Sequence, residues 1–181
     1  MKNTYMGGDA NLKSENYAAR RFTRAYNAIP PEDVDAQFVA LKGFLGEIGE
    51  NSKIYAPFYC DRGSKIHLGK NVTINYSATI LDMDDVYIGD YVRIAPNCSI
   101  YTVGHPLDYR KRAERICYTS PVSIGDYTWI CGNVTVLPGV KIGKRCVIGA
   151  NSLVTHDIPD DSLAYGSPCV VIRKLKEGID E

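Results

Sequence analysis

His105 lies in the stretch TVGHPLD, residues 102–108, with no cysteine, serine or second histidine beside it. An imidazole titrates near neutrality, so a single histidine can take a proton from a hydroxyl and return one to a leaving group without a triad. A purely structural reading competes with this: Gly104 and Pro106 supply a turn, and His105 merely ends a strand. Zinc chemistry needs three protein ligands converging on one point. The three histidines His67, His105 and His156 are dispersed, no H-x4-H pair exists, and the six cysteines (Cys60, Cys98, Cys117, Cys131, Cys146, Cys169) form no C-x-x-C. Free thiols in a reducing compartment fit that cysteine pattern better than disulfides or a metal site.

Bulk composition narrows the classes of function. The chain of 181 residues suits one main domain. Lysine plus arginine and aspartate plus glutamate balance at 21 each, so no basic excess points to nucleic acid or to an anionic membrane. No apolar run is long enough to span a membrane, and residues 1–16 are polar, unlike a secretion signal. The expectation is a cytoplasmic protein with neither a nucleic-acid nor a membrane partner.

The elements that must position His105 fall into two textures. Residues 1–50 form an N-terminal helical segment: Leu12, Ala19, Phe22 and Tyr26 mark one apolar face, and Val34, Phe38, Leu41 and Leu45 mark another after the break at Pro30 and Pro31. Residues 51–181 are rich in valine, isoleucine, glycine and asparagine, and from residue 66 an aliphatic recurs every six positions. Leu68, Ile74 and Ile80 form one group, Ile88, Ile94 and Ile100 a second, and Ile124, Ile130, Val136, Ile142, Ile148 and Val154 the rest. Strands this short cannot make a hairpin sheet, but three per turn can coil into a triangular parallel β-helix with the aliphatics stacked inside. Twelve hexads predict about four coils with partial coils at the ends, capped by the N-terminal helices and by Val170 to Leu175.

Two irregularities stand out. The step from Ile80 to Ile88 is eight residues, which bulges the corner carrying Asp82, Met83, Asp84 and Asp85. From Ile100 to Ile124 the repeat is interrupted, and residues 103–121 read as a loop thrown out from one corner and returning in register. His105 stands at the root of that loop, and a long loop on a rigid scaffold is a common seat of function.

The hexads, the stretches IAPNCSIYTVGHPLD and WICGNVTVLPGVKIG, and the tail VTHDIPDDSLAYGSPCVVIRK together resemble the maltose and galactoside O-acetyltransferases. The resemblance spans nearly the whole chain. It implies a left-handed parallel β-helix, a homotrimer with each site between two subunits, acetyl-CoA as co-substrate without a metal, and a sugar or similar hydroxyl as acceptor. By that match His105 is the catalytic base and Asn75 stabilises the transition state, its amide donating to a developing oxyanion. The competing reading of Asn75 is a turn residue of the β-helix, because asparagine tolerates left-handed backbone; the oxyanion role is favoured over it. Asp61 and Asp82 match positions that hold acceptor hydroxyls, although corner aspartates are often only solvated. Trp129, Gly132 and Ala150 match the border of the pantetheine arm, Thr155 and His156 follow along the coils, and Arg173 matches a contact to the nucleotide phosphates.

The chain also departs from that family. His156 replaces a common lysine, which makes any phosphate contact weaker and pH-dependent, and Val170 replaces a common arginine, with Arg173, Lys174 and Lys176 nearby. Cys117 stands where a glutamate is frequent, and Gly7 where an acceptor-binding acid is expected, with Asp9 close by. Two other readings remain open: a non-catalytic or acceptor-altered β-helix assembly protein, and a zinc enzyme like the γ-carbonic anhydrases. Whether Asp108 orients His105 or caps the loop is also open.

Overall fold

The computed structural model describes residues 3–6 and 9–178. Helix α1, Ala10–Tyr26, starts where the Asp9 carboxylate accepts the N–H groups of Asn11 and Leu12. Such a cap satisfies donors that the first helical turn cannot pair internally. Helix α2, Val34–Lys42, is capped in the same way by Asp33. The helices close one end of the solenoid through the buried Tyr26, whose hydroxyl donates to the Ile54 carbonyl. Next to it, Asn27 exchanges two hydrogen bonds with the backbone of Phe58, at 2.9 and 3.1 Å.

Each coil of the solenoid lays one short strand on each of three faces. The first face stacks Glu47–Ile48, Ile66–Leu68, Val86–Ile88, Val122–Ile124 and Lys141–Ile142. The second stacks Lys53–Ile54, Thr73–Ile74, Arg93–Ile94, Trp129–Ile130, Val147–Ile148 and Ser162–Gly166. The third stacks Phe58–Cys60, Ala78–Leu81, Ser99–Tyr101, Thr135–Val136 and Leu153–Val154. Neighbouring strands pair in parallel with like residues in register, as in Ile54↔Ile74, Ile74↔Ile94 and Ile94↔Ile130. The recurring aliphatics of the hexads are buried in one continuous core.

The coils begin earlier than the repeat read from residue 66. Ile48, Ile54 and Cys60, also six apart, form a first coil, which was hidden because a cysteine ends it and its first strand precedes Gly49. Its step from Cys60 to Leu68 is again eight residues, as from Ile80 to Ile88. At two of the three edges a residue takes left-handed backbone in coil after coil, including Asn51, Asn71, Asn97, Asn133 and Asn151. Asparagine bears that conformation more easily than most side chains do.

The interruption after Ile100 is not an open loop but a built arm. Val103–Gly104 pairs antiparallel with Ile116–Thr119, a short helix α3 (Tyr109–Ala113) sits at the tip, and the N-terminal strand Asn3–Met6 joins on the outer side. At the far end Cys169–Lys174 folds back antiparallel on Ser162–Gly166, which ends the parallel stacking. Among the described residues no helix is long and apolar enough to cross a membrane.

Candidate active site

His105 projects from the arm with its ring exposed. Its Nδ1 lies 3.4 Å from the Ile116 carbonyl oxygen on the opposite strand. A carbonyl can only accept, so Nδ1 carries the proton in this arrangement and Nε2 keeps its lone pair for an incoming hydroxyl. The segment just beyond is held by Arg112, whose guanidinium donates to the carbonyls of Pro106 and Leu107, both at 2.7 Å. Asp108 caps α3 through the Arg110 N–H at 3.0 Å and pairs with the Arg110 side chain, which holds its carboxyl below the usual range. Asp108 therefore stabilises the tip of the arm, and the Ile116 carbonyl does the orienting of His105.

The two candidate acceptor carboxylates lie on the same edge as the arm, between the third and first faces, and have different surroundings. Asp82 is fully buried, not solvated: its Oδ1 accepts the N–H groups of Asp61 and Arg62, each at 2.9 Å. Burial pushes its carboxyl up to about 6, although those two backbone donors pull the other way. Its Oδ2 and the Nε of Arg62 are buried without a hydrogen-bond partner among the described residues. Asp82 thus braces the corner that presents Asp61. Asp61 is half-buried, and burial raises its carboxyl while Arg20 of α1 lowers it. Helix α1 also reaches this corner through Asn16, which donates to the Asp61 carbonyl at 2.8 Å, and Glu15, 2.6 Å from Arg62.

Asn75 sits on a different edge, between the second and third faces, following the strand Thr73–Ile74. Its Oδ1 accepts the Tyr76 N–H at 2.8 Å, which leaves the NH2 end as a donor, and the left-handed backbone at this turn falls on Ser77, not on Asn75. Gly132 and the exposed Ala150 continue that edge in later coils. Thr155 and His156, by contrast, continue the edge of the arm, with the Thr155 hydroxyl 2.8 Å from His156 Nδ1. Within one chain the structure therefore sorts the candidates into two groups on opposite edges of the third face. His105, Asp61, Asp82, Thr155 and His156 form one, and Asn75, Gly132 and Ala150 the other.

Trp129 and Arg173 do come together, on the second face, in a groove of about 900 Å³ lined also by Arg145, Val147, Leu163 and Lys176. Arg145 is committed to Asp161 at 2.5 Å, whereas Arg173 and Lys176 make no ion pair among the described residues. The apolar Val147, Leu163 and Leu175 together with the unpaired Arg173 and Lys176 suit an organic group bearing phosphates, although Asp161 and Glu177 also line the groove. Lys174 is drawn away to the Asp160 carbonyl, and Val170 is exposed on the returning strand.

Cys117 is buried beneath the N-terminal strand, its thiol donating to the Tyr5 carbonyl at 3.5 Å. Gly7 lies outside the described residues. His67 is held by Asp85 at 3.1 Å and stacks on Tyr87, on the first face of the solenoid. Among the described residues no group of three His, Cys, Asp or Glu is placed to hold a metal ion. Sequence reasoning missed Glu15 and Arg62, and read Arg112 only as one of the loop residues (Tyr109, Arg110, Lys111, Arg112) that could reach a neighbouring copy; their partners here are distant in sequence or are backbone carbonyls and leave no motif.

A solenoid of hexapeptide coils carrying a histidine-bearing arm defines a hexapeptide-repeat transferase, and residues 121–156 match the family described as bacterial transferase hexapeptide (six repeats). The solenoid is left-handed. The chain belongs to the maltose and galactoside O-acetyltransferase family, and it is an acetyltransferase. It is 40% identical to galactoside O-acetyltransferase of Lactococcus lactis over 176 residues, covering 96% of this chain and 84% of the relative. The structure of a maltose O-acetyltransferase from Clostridium difficile 630 superposes with a TM-score of 0.94 at 39% identity, over 97% of this chain and 94% of the other. A hexapeptide-repeat acetyltransferase from Vibrio cholerae, in complex with acetyl coenzyme A, superposes with a TM-score of 0.90 at 35% identity, over 96% and 93% of the two chains.

Proposed function

We propose that this chain transfers an acetyl group from acetyl-CoA to a hydroxyl of a sugar or similar acceptor, with His105 as the single general base. The observation that carries the role of His105 is its geometry: an exposed residue on the paired arm, with Nδ1 at the Ile116 carbonyl and Nε2 making no hydrogen bond among the described residues. His105 takes the proton of the acceptor hydroxyl as that oxygen bonds to the thioester carbonyl carbon. The Asn75 amide donates to the carbonyl oxygen as charge gathers there. His105 then gives its proton to the departing thiolate as the carbon–sulfur bond breaks, so the base is regenerated without a covalent enzyme intermediate.

The separation of Asn75 from His105 across the third face supports a site completed by a second copy, one chain supplying the arm and its neighbour the asparagine edge. A homotrimer, the assembly the family resemblance implies, is a closed arrangement that gives each His105 such a neighbour. It also lets Gly132 and Ala150 of one copy line the pantetheine arm opposite Thr155 and His156 of the next, with Trp129 and Arg173 serving the same coenzyme. Use of acetyl-CoA and six unpaired cysteines accord with a cytoplasmic setting.

Transfer of labelled acetyl from acetyl-CoA to a panel of sugars tests the reading directly. Label on a hydroxyl acceptor, lost in His105→Ala, is the expected result. Absence of transfer to every hydroxyl acceptor, together with absence of coenzyme binding, overturns it. Light scattering of the native protein should give three times the chain mass of 20.0 kDa.

A further inference from the structure

The eight-residue step from Ile80 to Ile88 drives a second carboxylate into the protein, Asp84, directly beneath the arm. Its backbone N–H donates to the Thr102 hydroxyl at 2.8 Å, and that hydroxyl donates to the Leu81 carbonyl at 2.7 Å. The Thr119 hydroxyl donates to Asp84 Oδ2 at 2.9 Å, while Oδ1 accepts the Asp85 N–H at 2.9 Å. Thr102 is where the chain leaves the solenoid and Thr119 ends the strand that returns to it. The two are joined again by the Ser120 N–H donating to the Thr102 carbonyl at 2.9 Å.

Residue 84 thus meets both roots of the arm from the coil below, its carboxylate at Thr119 and its backbone N–H at Thr102. His105 lies three residues out from Thr102, and Ile116, whose carbonyl holds the imidazole, three residues out from Thr119. Register carries the position of the roots outward through Val103↔Thr119 and Gly104↔Tyr118. The same eight-residue step in the first coil provides an internal control. There the position equivalent to Asp84 by strand register is Ser64, which is exposed and has no arm above it. Burying a carboxylate is costly unless it is hydrogen-bonded or paired; this one is bonded to Thr119, with Lys65 Nζ 4.0 Å from its Oδ1, at the root of the arm and not where the corner simply turns.

We infer that Asp84 is a positioning residue for His105, acting through Thr102 and Thr119 without touching either substrate. This rests on His105 being the base. A displacement of the imidazole of the order of an ångström slows proton transfer far more than it changes coenzyme binding, because the groove at Trp129 and Arg173 lies on another face.

Thr119→Val removes the hydroxyl at nearly constant shape, Thr119→Ser retains it, and Asp84→Asn removes the charge. Each is compared with His105→Ala by steady-state kinetics per mole of folded, coenzyme-binding protein. Thr119→Val and Asp84→Asn should lower kcat by about tenfold or more with the KM for acetyl-CoA unchanged, and Thr119→Ser should stay within about twofold of the parent. If Thr119→Val and Asp84→Asn keep the parental kcat while His105→Ala is inactive, the positioning role is wrong and the base assignment stands. If His105→Ala is itself active, the base assignment fails first. A loss in Thr119→Val matched by equal loss in coenzyme binding, or no rescue by serine, also overturns the inference.

Discussion

The Nδ1 of His105 and the carbonyl oxygen of Ile116 face each other at 3.4 Å across an antiparallel pair of strands, eleven residues apart in sequence. That contact gives an otherwise isolated imidazole a defined tautomer and direction. It uses the main chain in the place where many hydrolases use a carboxylate.

His105→Ala should therefore reduce kcat by about two to four orders of magnitude, the range a positioned general base supplies. Coenzyme affinity should be unchanged, since the ring is exposed on the arm and the phosphate-suited groove is elsewhere. Isothermal titration with coenzyme A alongside the rate assay separates the two effects.

Asp82 makes stability depend on pH. Its carboxyl is held at about 6 in the folded chain against 3.8 for a free aspartate, chiefly by burial. The folded chain then binds the proton more tightly than the unfolded chain, so stability falls as pH rises from about 4 to about 6, and the penalty is complete above that. Asp82→Asn should be more stable than the parent at pH 8 by up to about 3 kcal/mol, and level with it near pH 4. Urea midpoints at both pH values check this; an equal difference at the two would show that the proton is not responsible.

Gly63 turns the corner between Arg62 and Ser64 with φ +78°, and a Cβ there would run into the ring of Phe44. Phe44 is stacked on Phe22 of α1, with ring centroids 3.7 Å apart, so it has little freedom to retreat. Gly63→Ala should cost at least about 1–3 kcal/mol in chemical denaturation. Because the same corner presents Asp61, the variant should also raise the KM for the acceptor more than that for acetyl-CoA.

Arg173→Met should weaken coenzyme A binding by about tenfold while pantetheine, which carries no phosphate, is bound as before, since a charge-assisted contact to phosphate is what the substitution removes. Trp129→Ala should weaken both. Equal losses for the two ligands in Arg173→Met would place the guanidinium away from the phosphates.

Tyr26→Phe removes the donor to the buried Ile54 carbonyl while keeping the ring against Phe58. An unpaired buried carbonyl should destabilise the helical cap by about 1–3 kcal/mol. Hydrogen exchange should show the loss in α1 and the first coil, with the coils beyond the arm protected as before.

Much of the architecture was legible because a solenoid is built from local repetition. Six-residue spacing of Ile74, Ile80, Ile94, Ile100 and their counterparts names the buried stack directly, since each coil pairs like with like in register. The first coil escaped because Cys60 ends it and Gly49 suggested a boundary. Residues 103–121 read as a loop because the positions the returning strand buries hold Cys117 and Thr119 where the repeat leads one to expect aliphatics, and because α3 is only about one turn and a half. Their order comes from pairing with each other and with Asn3–Met6, more than a hundred residues away.

The sequence by itself determined that the chain coils, where the coil is interrupted, and that a lone histidine stands at the interruption. Those properties follow from spacing, which the backbone converts into geometry without help from distant residues. Tertiary structure alone decided what the carboxylates do: Asp82 and Asp84 share one polar bulge, yet one is turned to the Asp61 corner and the other to Thr119. It also decided that Asp108 serves the tip of the arm and the Ile116 carbonyl serves His105, and that Asn75 lies on another edge. Hydrogen bonds and burial act between neighbours in space, and a one-dimensional period records only which residues face inward, not which partners they meet.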